Sequence, residues 1–499
     1  MSENNQLSSQ LTVVAPMVVN AEQTAFREAL DAAARPAAST NAALAAALTP
    51  ATLNPAAFHA TLPADAPTPL IGPEPATFRV SASELPSLRG VALLDQLALL
   101  DPSQLSRFVT KHSATVAALI ANPPAAAAVA SEWASWPQAT RLLMVKQAPQ
   151  LVGSLDGMPY AQRNVANRSF LASSEAAIRV QLASDSVGRA AKDELSKRLH
   201  MLQQVRDAVK KGASGNERTL VSLDATGEGR AVIAVGDPST ADYVDYLIPG
   251  MFSDVDTQIQ VLAGGADSIA TAQQTWLKEL NPGTPASQLP TVATIAWIGY
   301  QTPNIVNVAS MSLAREGQQS LTSSIEGLRA VRAARVVTHA DGTVTGAQPF
   351  VAVLAHSYGS TAAMLSLQND QVSVDALAIV GSPGSPARTA GQLNVTNGNV
   401  WVGAGATDPV PQTGLFGSQP TSAAYGAHRF GVDGAVDPLT GKSMGSVVGH
   451  DGYFVNGTES LRNMVLIGIG RGDLVLGLDG SSALALSRAH GTAPRGPRV

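Results

Sequence analysis

The sequence predicts an α/β protein: a mostly parallel sheet flanked by helices, preceded by a mainly α-helical region. Three observations carry this expectation. From residue 218 onward, short β-branched runs alternate with long helical patterns, which is the grammar of βαβ units. One of those runs, 350–355, is continuously apolar and feeds through a tight turn into a helix of small residues, Thr361-Ala362-Ala363-Met364-Leu365. Ahead of these, across 88–211, the apolar periodicity is helical.

Taken in order, residues 1–85 read as a proline- and alanine-rich arm. Pro50, Pro55, Pro63, Pro67, Pro69, Pro73 and Pro75 leave no room for a regular helix or central strand, and only 21–35 has a short helical pattern. Residues 86–217 form the helical region. Leu93, Leu94 and Leu97 lead to Asp101-Pro102, where Asp101 is expected to cap a new helix. Leu105, Phe108, Val109, Val116 and Leu119 continue the one-sided pattern. Gly153, Asp156-Gly157 and Pro159 mark a helix–helix connection, followed by a polar helix that carries Arg163 and Arg168. Farther on, Lys197, Arg198, Arg206, Lys210 and Lys211 interleave with Asp193, Glu194 and Asp207, the pattern of a solvated face and not of a binding patch.

Residues 218–475 are expected to form the catalytic domain. A hairpin, 219–225 and 230–236, turns at Thr226-Gly227-Glu228-Gly229. Strand 241–248 ends in Pro249-Gly250-Met251-Phe252, and helix 254–280, strand 292–298 and helix 314–334 lead to the apolar strand. Strands 374–380 and 399–405, a Gly- and Pro-rich loop over 410–449 and a last helix over 460–468 follow, then a tail, 476–499. No repeat of solenoid or propeller period is present.

Ala355-His356-Ser357-Tyr358-Gly359 lies where the apolar strand turns into its helix. This is the setting of a nucleophile elbow, which holds a serine hydroxyl at the top of an α/β-hydrolase sheet, and Ser357 is the candidate nucleophile. Small residues are needed on both sides because strand and helix cross closely; Ala355 replaces the first glycine of the usual pattern. A serine needs a histidine base, and the base needs an acid to fix its tautomer. In this fold they follow in the order serine, acid, histidine. Asp408 sits just past the end of a strand, at the edge where functional loops gather. Asp375 starts its strand and so lies at the opposite edge; Asp433 and Asp437 fall in the long loop. His450, flanked by Gly449 and Gly452 just ahead of the last helix, is the expected base, ahead of His428 and His490. His356 should point away from the nucleophile.

Two backbone donors are expected for the oxyanion: the N–H of Tyr358 and that of Met251. Pro249-Gly250 reads either as part of that loop or as a type II turn. Phe252 and Trp297 are candidates to line an apolar acyl pocket, or else pack in the core.

The chain has 499 residues, 45% hydrophobic, 4% aromatic and 14% charged, with a net charge of -5. That is enough apolar material for two structural units, and the charge gives no reason to expect nucleic acid. With no cysteines, disulfides and thiolate chemistry are excluded. There is no H-E-x-x-H, no acidic calcium loop and no phosphate-binding loop, so no metal or cofactor is expected. No basic leader and no run of about 18 apolar residues occurs, which points to a cytoplasmic protein without an integral membrane segment.

Taken together, Leu155-Asp156-Gly157-Met158-Pro159 with Arg163 and Ala166-Asn167-Arg168, Trp297-Ile298-Gly299-Tyr300, His356-Ser357-Tyr358-Gly359-Ser360, Gly381-Ser382-Pro383-Gly384, and Gly403-Ala404 with Asp408-Pro409 resemble a family of actinobacterial α/β-hydrolases long filed as a domain of unknown function. The resemblance spans roughly residues 136–468. It implies a serine hydrolase preceded by a helical region, with Ser357, Asp408 and His450 as triad. The expected activity is hydrolysis of a small-molecule carboxylic ester. An amidase or peptidase with the same triad, and a non-catalytic hydrolase-fold binding protein, are the alternatives. The oligomeric state is not encoded in any motif.

Overall fold

A computed structural model describes residues 80–478, apart from 82, 213, 336, 339–343 and 346–347. The short helical pattern at 21–35, most of the arm and tail, and His490 lie outside the described residues. Among the described residues eight α-helices precede the first strand: α1 Gly90–Ala98, α2 Pro102–Lys111, α3 Ser113–Ala121, α4 Ala126–Ser135, α5 Gln138–Gln147, α6 Pro149–Ser154, α7 Tyr160–Leu182 and α8 Arg189–Ala208. Asp101 caps α2 as its sequence requires: its carboxylate accepts from the N–H groups of Ser103 and Gln104, and the Gln104 side chain accepts from the Asp101 N–H. Helices α1–α6 and the start of α7 enclose a core of their own, including Leu93, Leu97, Leu105, Trp133, Met144 and Leu151. The packing then crosses the boundary expected at 217, because Leu171 and Ile178 of α7 and Met201, Leu202 and Val205 of α8 join the core beneath the sheet.

The sheet contains β1 Arg218–Asp224, β2 Arg230–Val235, β3 Tyr243–Ile248, β4 Val292–Ile298, β5 Phe350–His356, β6 Ala376–Val380, β7 Val400–Gly403 and β8 His428–Arg429. Its order is β1-β2-β4-β3-β5-β6-β7-β8. β2 runs antiparallel to β1 and β4, and the other pairings are parallel. The remaining helices are α9 Val255–Leu280, α10 Ser312–Ala333, α11 Tyr358–Leu367 and α12 Glu459–Gly468. Side chains alternate between two cores, as the period of two demands. Ala352 and Leu354 of β5 face the core containing α8, α9 and α12, while Val351, Val353 and Ala355 face that of α10 and α11. Burial on both faces explains why these strands read as unbroken apolar runs.

The helical region also covers the edge strand β1. Asn164 Oδ1 accepts from the Leu220 N–H (2.9 Å), Asn167 Nδ2 donates to the carbonyls of Leu220 and Val221 (3.1 and 3.0 Å), and Arg168 donates to that of Arg218 (2.9 Å). An unpaired sheet edge is thereby satisfied by side chains of α7. The motif read as a helix–helix connection completes the joint: Asp156 pairs with Arg163 (2.7 Å) and accepts from the Ser323 hydroxyl of α10 (2.6 Å).

Asp245 is fully buried in the central strand β3, where the Gln273 side-chain amide donates to its Oδ2. Its Oδ1 and Gln273 Oε1 are left as buried acceptors without a partner. Burial pushes the Asp245 carboxyl from its ordinary 3.8 up to about 7. Protonation turns one orphaned acceptor into a donor. Among the described residues no helix is long and apolar enough to cross a membrane.

Candidate active site

β5 lies within the run of parallel strands, between β3 and β6, and delivers Ser357 to the C-terminal edge of the sheet. Ser357 has φ 51° and ψ −133° and caps the start of α11. That conformation is costly for a residue with a Cβ and persists where the surroundings enforce it. Here the Ser357 N–H donates to the Val380 carbonyl (3.0 Å), and its carbonyl accepts from both the N–H and the hydroxyl of Ser360 (2.9 and 2.6 Å). The Ser360 hydroxyl in turn contacts Ser382 (2.7 Å), whose oxygen accepts from the Gly384 N–H (3.1 Å). Gly359 is required for clearance, since a Cβ there would lie 2.2 Å from the Pro249 carbonyl oxygen. Ala355 needs no such clearance; its methyl is wholly buried in the core on the α10 side.

Three side chains converge at this corner. His450 Nε2 lies 2.7 Å from Ser357 Oγ, and His450 Nδ1 lies 3.0 Å from each oxygen of Asp408. With Nδ1–H donating to the carboxylate, Nε2 is left to accept the serine proton. The Asp408 side chain is fully buried and that of His450 is 14% exposed. Asp408 Oδ2 also accepts from the Tyr453 hydroxyl (2.7 Å), and Oδ1 from the Val410 N–H (3.0 Å). Burial pushes the Asp408 carboxyl up, but the bond and charge of His450, with the Tyr453 and Val410 donors, outweigh it and hold it below the usual range. The acid is therefore ionised at neutral pH. Burial and the neighbouring Asp408 raise the Tyr453 phenol, which stays a donor.

The competing residues are engaged elsewhere. Asp375 accepts from the Val351 N–H (2.8 Å) at the opposite sheet edge, and Asp437 pairs with Arg462 (3.2 Å). Asp433 accepts from the Ala406 N–H (3.3 Å), beside the loop that carries Asp408. His428 lies in β8, a strand not anticipated within the long loop, with its ring against Trp401.

The 249–252 loop passes directly over Ser357. A Cβ on Gly250 would fall 2.5 Å from Ser357 Cβ and 2.9 Å from Oγ, so glycine is needed there for space. Gly250 is not in the left-handed region that a type II turn requires; Phe252 is, at φ 58°. The Phe252 N–H is spent on the Pro303 carbonyl (3.0 Å), and the Tyr300 hydroxyl donates to that of Pro249 (2.9 Å). Met251 and Phe252 are both partly buried. Tyr358 is the first residue of α11, where helix geometry leaves the N–H without an intrahelical partner. Its phenol is raised to about 12 by burial and accepts from the Ala314 N–H (2.9 Å).

Trp297 is not part of this rim. It is 1% exposed and stacks on Tyr300 at 5.8 Å, which stacks on Tyr358 at 6.4 Å. The indole is thus two rings away from the elbow residue, packed in the core. In a strand buried on both faces, sequence offers no way to tell which aromatic reaches the site. Tyr300, Tyr453 and His356 were not assigned site roles from sequence, yet all three bear on it. His356 points away from Ser357 as expected, but onto the backbone of His450, with Nε2 2.8 Å from its carbonyl oxygen.

With this geometry in place, the family match agrees with the fold class. Residues 224–418 match the family described as alpha/beta hydrolase, a segment that includes Ser357 and Asp408 and stops short of His450. The chain is 29% identical over 406 residues to the uncharacterized protein Rv2079 of Mycobacterium tuberculosis strain H37Rv, which covers 70% of this chain and 56% of the relative. A second uncharacterized protein, from Mycobacterium bovis, is 29% identical over 210 residues, covering 40% of this chain and 73% of the relative. The chain thus spans about half the length of the first of these relatives. The crystal structure of dienelactone hydrolase from Anabaena variabilis aligns at 15% identity over 41% of this chain and 83% of that one, with a TM-score of 0.23, too low to carry an argument. The fold class over the matched segment is thus that of an α/β-hydrolase, and these two mycobacterial relatives are uncharacterized.

Proposed function

We propose that the protein is a serine hydrolase that cleaves carboxylic esters through an acyl-enzyme intermediate. The observation that carries this reading is the continuous run from Ser357 Oγ to His450 (2.7 Å) to Asp408 (3.0 Å), on a serine held at φ 51°. Ser357 Oγ attacks the ester carbonyl carbon while its proton passes to His450 Nε2. Asp408 stabilises the imidazolium and holds its tautomer. The Tyr358 and Met251 N–H groups receive the developing oxyanion, each contributing about 3 kcal/mol of transition-state stabilisation. Collapse of the tetrahedral intermediate releases the alcohol, which takes the proton from His450. Water then attacks the acyl-enzyme by the reverse sequence, regenerating the Ser357 hydroxyl and freeing the acid.

An uncharged ester suits the surroundings. Residues 299–311, 381–387 and 409–427, parts of the loops that follow β4, β6 and β7, contain no Asp, Glu, Lys or Arg. Phe252, partly buried beside Met251, is retained as the apolar pocket residue. The test is hydrolysis of a matched ester and amide sharing one acyl group. The ester is turned over preferentially, and Ser357→Ala lowers its kcat/KM by about 10⁴-fold or more. Equal turnover of the amide would move the assignment to amidase, and no turnover of either would favour a binding protein.

A further inference from the structure

The serine-hydrolase reading gives no role to His356, whose neighbour in sequence is the nucleophile. We infer that His356 is a positioning residue for the base: it ties the end of the nucleophile strand to the backbone of His450. The inference rests on the serine-hydrolase reading and deepens it.

Three observations support it. His356 Nε2 lies 2.8 Å from the His450 carbonyl oxygen, and because a carbonyl only accepts, that nitrogen carries the proton and donates. The two imidazole rings lie 4.6 Å apart, with Tyr453 and Phe454 closing around His356 at 5.7 and 6.1 Å. His450 is carried by a loop between two glycines, Gly449 and Gly452, so its height above Ser357 must be set from outside the loop. A further hold runs from the Gly449 N–H to Thr407 Oγ1 (2.9 Å). Thus the residue before the nucleophile and the residue before the acid each grip the chain that bears the base.

The chemistry favours a neutral imidazole in this place. During acylation His450 becomes cationic, and a second cation 4.6 Å away would oppose that charge. The groups facing His356 are His450, Asp451, Asp408 and the Tyr453 phenol; withdrawal from water, then the His450 charge, hold the His356 pKa down to about 4. A lysine would bring the opposing charge, and an apolar ring would supply the packing without the hydrogen bond. A glutamine side-chain amide can supply the donor while remaining neutral.

The test compares His356→Phe with His356→Gln in the full chain, both checked for unchanged thermal unfolding. Two readouts are taken: the rate of fluorophosphonate labelling of Ser357, and deuterium exchange of the 447–456 peptide. In the Phe variant, labelling slows by about 10- to 100-fold with little change in probe affinity, the scale set by a small misplacement of a reacting group. Exchange of the 447–456 peptide rises in the same variant. The Gln variant recovers both to within about threefold of the parent. A folded Phe variant with parental labelling and exchange overturns the inference while leaving the serine-hydrolase reading intact. A parent protein that takes no probe at Ser357 overturns that reading, and the role of His356 with it.

Discussion

The elbow cluster and the joint between α7 and β1 are both dense in polar side chains, and both stand out in the sequence, yet their hydrogen bonds go to different kinds of partner. At the joint the bonds run mainly from side chain to backbone. Asn167 alone reaches the carbonyls of Gly153, Leu220 and Val221. Such bonds fix one segment against another and leave no group free to exchange a proton. At the elbow the central bonds run from side chain to side chain, Ser357 to His450 to Asp408, so that under the proposed mechanism the serine proton passes to His450 while the Nδ1 proton stays on the imidazole, facing the ionised carboxylate. A polar motif therefore indicates chemistry through what its groups bond to, not through how many there are.

Three substitutions sharpen the contrast. Asp408→Asn removes the ionised acceptor but keeps the size of the side chain, and kcat for the ester falls by about 10⁴-fold with thermal stability changed far less. Steady-state kinetics beside a melting curve check this. Asn167→Ala, at the joint, takes a donor from three carbonyls, of which that of Gly153 keeps Arg163, and lowers stability by roughly 2–3 kcal/mol, read by denaturant titration. Its kcat per folded molecule stays at the parental value. A loss of kcat there would break the distinction between the two regions.

The smallest effect belongs to the buried Asp245, remote from both. Between its ordinary 3.8 and about 7, the unfolded chain has released a proton that the folded protein retains, so this group makes stability fall as pH rises through that window. Asp245→Asn should flatten that dependence. It should raise stability at pH 8 and leave it nearly unchanged near pH 4. Urea titrations at the two pH values measure the difference.

Much of this organisation is legible in the sequence, for reasons that also explain the omissions. β4 falls on 292–298 as read, because a fully buried strand is an unbroken apolar run between breakers. Chain order and strand ends bring Ser357, Asp408 and His450 forward as one constellation. β8 escaped because two residues, His428 and Arg429, have no periodicity to detect. Trp297 reads equally as a pocket or a core residue because a strand buried on both faces gives no hint of which side an aromatic ring takes. Gly250 was legible as a special position but not for its reason, which is clearance from Ser357 and not a left-handed turn. The contact of His356 with His450 joins positions 94 residues apart, and only the folded loop reveals it.

The most direct measurement of the central claim is labelling of the pure protein with a fluorophosphonate probe, read by intact mass and peptide mapping beside a Ser357→Ala control. The account predicts a single adduct, on Ser357, that is absent from the control. A folded parent that takes no adduct, or takes one on another residue, would contradict it.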